Sequence, residues 1–188
     1  MKLSTGWWGI GLGQYRHTDH TYELYDADGL PQLDVPAGYG WLESAEPHSH
    51  PMEVTKAPEE VVAGLPLEDF FSRPDLQEAF ASPTDCYWEV VESFTPEAFG
   101  DGARLVRFLA DSQGCVFWYL LVNPGGVAGP VLAGFAEEYD LVQVAASFDE
   151  FLYRYWIENS AWWEVVAECR SFTQLSPRVR DYLAHYGG

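Results

Sequence analysis

His17-Thr-Asp-His20 and His48-Ser-His50 are the chain's two histidine pairs, so metal binding is the first chemistry to weigh. A zinc site gathers three or four ligands at about 2.0 to 2.3 Å. Neither pair has a Cys close by or the H-E-x-x-H spacing that sets two imidazoles on one helix face. Both lie among turn formers and read as exposed loop histidines, and a metal centre would require the two pairs to meet in space. Nucleophilic chemistry is no better supplied. There is no G-x-S-x-G, Ser147 is taken up as a helix cap, and Cys115 begins a strand with no His or Asn beside it. The adjacent acids Glu59-Glu60 and Glu137-Glu138 offer carboxylates for proton transfer, yet paired acids at turns usually form a solvated face. GIGLGQ, residues 9–14, lacks the preceding strand, the following helix and the third glycine of a phosphate-binding turn. No catalytic residue, cofactor or metal is expected.

The charge is more informative than the motifs. Twenty-nine acids face ten Lys and Arg, a formal net charge of -19. Nucleic acid and anionic membrane surfaces both need a cationic footprint, so neither is expected as a partner. A basic macromolecule is the partner such a field attracts, and the attraction acts mainly on association rate. Eight Trp, eleven Tyr and eleven Phe weigh against disorder. Three well-separated cysteines in apolar surroundings suit a reducing compartment. No run approaches the roughly 18 apolar residues of a membrane span, and MKLSTGWWGIGLGQ does not read as a signal peptide, so a cytoplasmic location is expected.

The elements that must carry any site follow from periodicity. Residues 1–60 read as a β-rich extension with a Pro-, Glu- and Ser-rich linker, and residues 61–188 as the main domain. Within the extension, YELYD and the run after Pro31 suggest a hairpin turning at Asp28-Gly29. VVAGLPLEDFFSRPDLQEAFASP reads as two helical pieces begun by Pro66 and by Ser72 to Asp75. CYWEVVESF reads as a strand, and TPEAFG as a single helical turn. Residues 103–110 and 115–123 form two more strands joined by a polar turn, and GPVLAGF and LVQVA add two shorter ones. Both alternating sets of the 115–123 strand are apolar, leaving open whether Trp118 is core or an exposed anchor. Ser147-Phe-Asp-Glu150 is a capping box opening an aromatic helix, with Glu150, Arg154 and Glu158 four apart on its expected solvent side. Ser176 and Pro177 start a last helix.

Several of these residues, in order, resemble the SUKH superfamily, also called Smi-one/Knr-four. They are Gly64 to Phe71 (GLPLEDFF), the turn at Gln113-Gly114 before an aromatic strand, Gly129-Pro130-Val131, and VAASFDEFLYRY with Ser147, Phe148, Glu150, Phe151 and Leu152. The likeness runs from about Gly64 to Trp163. It implies an α+β fold whose central, mostly antiparallel sheet packs against helices. It also implies an immunity protein that binds and neutralises a polymorphic toxin, frequently a nuclease, and it carries over no catalytic residue. A regulatory scaffold of the fungal kind is the alternative within the family. An uncharacterised small-molecule or metal-dependent enzyme using His17, His20, His48 or His50 is the alternative outside it. The expected partner-binding residues are Glu89, Glu92, Trp118, Glu137, Glu138 and Asp140, placed on strands and at the turn after the Val131 strand. The oligomeric state is not legible in the sequence.

Overall fold

Two short strands near the start, β1 (Gly6–Gly9) and β2 (Glu23–Asp26), pair antiparallel with Trp7 opposite Tyr25. The expected hairpin around Asp28-Gly29 does not form: residues 27–29 make a 3-10 turn, and β2 pairs back to the Trp-rich run instead. From β1, Trp7 points into the core at 1% exposure, against Phe151 and Glu158. Four short helices follow: α1 (Gly40–Glu43), α2 (Glu59–Val62), α3 (Pro66–Phe71) and α4 (Pro74–Glu78). Pro66 and Pro74 occupy first-turn positions, where a missing N–H costs nothing. The computed structural model describes residues 3–43, 51–93, 95–135 and 140–187.

The α+β expectation holds. Strands β3 (Cys86–Ser93), β4 (Arg104–Asp111), β5 (Phe117–Asn123), β6 (Val127–Gly134) and β7 (Val142–Ala145) form an antiparallel sheet in which each strand neighbours the next in sequence. Thr5 bridges Gln143, so the start of the chain runs beside the β7 edge. Helix α5 (Phe148–Trp162) lies on the sheet, and α6 (Pro177–Ala184) packs against α5. The Glu150 amide donates to Ser147 Oγ at 3.2 Å, while the Glu150 carboxylate accepts from the Ala146 amide at 2.9 Å, one residue before the Ser147 amide that a capping box engages.

Helix α5 is the middle layer, and this overturns its expected solvent side. Every residue from Phe151 to Ala161 is buried. One face meets Phe108 and Trp118 of the sheet through Phe151. The opposite side meets Trp41, whose ring centroid lies 4.9 Å from that of Tyr153 and 5.3 Å from that of Trp156. Arg154 and Glu158 are 6% and 2% exposed because the extension and α6 cover them. The helix continues past the buried Asn159 and ends in a π-turn at Trp163–Ala167. One hydrophobic core therefore joins Trp7, Leu12, Trp41 and Leu42 of the extension to Trp88, Phe108 and Phe151. Among the described residues no helix is long and apolar enough to cross a membrane.

Candidate partner-binding surface

Alternation along β5 puts Trp118, Leu120 and Val122 on the side of the main core, and Phe117, Tyr119 and Leu121 on the side away from α5. Trp118 is 1% exposed, with ring contacts to Tyr22, Phe151 and Tyr155, so the structure corrects its expected place in a partner surface. Its neighbour in sequence, Phe117, is the half-buried aromatic of the outer face. There the Arg107 guanidinium stands 4.9 Å from the Phe117 ring centroid and pairs with Glu89 at 2.6 Å. Arg104 pairs with Glu92 at 3.1 Å. The two β3 carboxylates expected to face a partner thus already hold cations from β4. Asp140 is exposed, and Glu137 and Glu138 lie outside the described residues. Leu105, Tyr119, Leu121, Leu132 and Leu141 form a second small core, with Leu3 and Phe99 packed on it.

Unlike Glu89 and Glu92, a group of acids on the extension has no arginine or lysine paired with it among the described residues. Asp19, Glu23, Asp26, Asp28 and Asp34 are exposed. Arg16, the nearest Lys or Arg in sequence, is buried and committed to Glu158, with N···O distances of 2.6 and 2.5 Å. Trp7 Nε1 donates to the same carboxylate at 2.7 Å and the Tyr182 hydroxyl at 2.5 Å. Burial opposes the Glu158 charge, but Arg16 and these donors outweigh it and hold the carboxyl below its usual range. Among the described residues Asp19 pairs with His17, at 3.0 Å and with both side chains largely exposed.

Between the extension and the end of β6 opens a cleft of about 790 Å³. Trp8 and Phe135 form its aromatic wall, their rings 5.1 Å apart and inclined at 78°, and Asp19, His20, Glu23 and Leu24 complete most of the rim. Tyr22 turns its hydroxyl inward to Thr84 at 2.6 Å and Cys86 at 3.0 Å. Burial first, then the charge of Asp111, raises the Cys115 thiol at the cleft's edge, which disfavours the thiolate a nucleophile needs. Of the three cysteines only Cys86 is buried, and Cys169 is exposed. Among the described residues no three His, Cys, Asp or Glu side chains converge as a metal site would require, and His48 and His50 lie outside those residues. The glycine turn at residues 9–13 points a carbonyl inward: Ile10 O accepts from Arg16 at 2.7 Å.

The sequence did not single out Trp8, Leu24 or Phe135. The adjacent tryptophans in GWWG carried the one available signal, since a strand must send one inward and the other outward. Comparison with family models, with curated proteins and with solved structures returns no match to this chain.

Proposed function

We propose that this chain is a non-enzymatic binding protein that captures and neutralises a basic protein, in the immunity role implied by its resemblance to the SUKH superfamily, with a toxin of the nuclease class as partner. The observation that carries this reading is the set of exposed carboxylates on the extension, Asp19, Glu23, Asp26 and Asp28, whose neighbouring arginine is spent inside the core on Glu158. Carboxylates left without fixed cations project their field into solvent, where it steers a positively charged partner, and they can occupy the basic surface a nuclease would otherwise offer to phosphates. The net charge of -19 supports the same partner class.

The test is affinity capture from the native cell with a tagged chain, followed by co-expression of the captured protein. A captured protein of net positive charge whose toxicity is relieved by the wild type, and not by a variant with Asp19, Glu23, Asp26 and Asp28 changed to Lys, is the expected result. An acidic partner, or protection by the charge-reversed variant at low salt, overturns it.

A further inference from the structure

We propose that the Trp8–Phe135 cleft is the socket for an arginine side chain of the basic partner, a proposal that rests on the partner class just given. Three independent observations meet there. The first is exposed apolar surface in one place. Only five large hydrophobic residues are exposed among the described residues, and two of them, Leu24 at 41% and Phe135 at 45%, line this cleft. Scattered singly they would need no explanation, but together in a concavity they mark a site.

The second is the wall itself. Trp8 and Phe135 stand nearly perpendicular, an arrangement that offers an aromatic corner to a planar cation, and Trp is the strongest of the aromatic faces for that contact. The molecule already uses this device with its own arginines: Arg16 sits 4.4 Å from the Tyr25 ring centroid and Arg107 sits 4.9 Å from that of Phe117. The third is charge. Asp19 and Glu23 rim the cleft, no Lys or Arg lines it, and Glu23 has no ion pair among the described residues. The His17–Asp19 contact is exposed on both sides and leaves Asp19 open to a competing cation. A neutral ring would use the wall and leave both carboxylates idle, whereas a guanidinium uses all of it: its plane stacks and its N–H fork reaches carboxylate. Lysine, a compact and strongly hydrated point charge, fits the carboxylates but not the wall.

Tetra-arginine peptide titrated into the full chain, followed by the Trp8 indole N–H resonance and by calorimetry, tests the socket. The resonance should shift, tetra-lysine should bind more weakly, and Phe135→Ala and the double variant Asp19→Asn/Glu23→Gln should each weaken tetra-arginine by about tenfold. Phe135 is exposed enough for its truncation to spare the fold, which an unchanged thermal midpoint confirms. Unchanged affinity in Phe135→Ala beside weakened affinity in the acidic double variant overturns the socket while leaving the basic-partner reading standing, because it reports diffuse surface attraction. Indole binding as tightly as the peptide also overturns it. Peptide binding that ignores both changes and added salt sinks the socket and the basic-partner reading together.

Discussion

Glu158 is a buried carboxylate with donors on both oxygens: Arg16 and Tyr182 serve Oε1, and Arg16 and Trp7 serve Oε2. Taking one partner from such a pair strands the other charge in the core, so Glu158→Gln should destabilise the fold by about 3–5 kcal/mol in denaturant unfolding. The pH dependence follows from the direction of its shift. A carboxyl whose folded pKa is depressed stabilises above the unfolded value, about 4.3, and loses that contribution as pH falls through the lower folded value. The stability gap between wild type and Glu158→Gln should therefore narrow in melts taken below about pH 4. At Trp118 the inward phase has its own consequence. Trp118→Ala should cost about 3–5 kcal/mol, while Phe117→Ala, on the half-buried outer face, should cost clearly less, and comparing their unfolding midpoints checks the alternation.

At the scale of elements, α5 begins where its sequence says it must, and Ser147→Ala should cost about 1 kcal/mol of stability by removing the acceptor of the Glu150 amide. That cap, the proline-started helices and the five separate strands of the sheet were legible because each rests on local chemistry: a hydroxyl three residues from a carboxylate, a ring that fixes φ, a run of β-branched and aromatic side chains. The far side of α5 was not. Glu150, Arg154 and Glu158 stand four apart, which within one helix describes a solvent stripe, and nothing nearby announces that Arg16, 142 residues away in sequence, reaches Glu158. β5 failed differently. A strand apolar on both faces has no polar set to fix its phase, so Trp118 and Phe117 were interchangeable until the sheet was laid on α5. The candidate site was legible as a charge and not as a place. The acids were countable, but whether Glu89 is free depends on a register that sets Val91 against Arg107, two strand positions from it.

Over the whole molecule the question is whether residues 61–188 stand alone, as the sequence organisation suggests, or require the extension. The sheet needs only one face of α5, and a helix apolar on that face alone would leave the extension dispensable. This helix is buried on all sides, and what covers its second side comes largely from residues 7–42. Trp7 contacts Phe151, Trp41 contacts Tyr153 and Trp156, Pro31 O takes the Arg154 guanidinium, and Arg16 takes Glu158. Cutting the chain at residue 61 would expose that aromatic surface to water and leave a buried glutamate without its arginine, two of the costliest changes a core can suffer. Helix α6 would remain, with Tyr182 still beside Glu158, but one hydroxyl does not neutralise a carboxylate. The isolated 61–188 fragment should therefore show no cooperative thermal transition and should bind a hydrophobic dye, whereas mixing it with a 1–60 peptide should restore a transition. A sharp, two-state melt of 61–188 alone, near the midpoint of the full chain, would show that the extension lies on a finished domain instead of completing one.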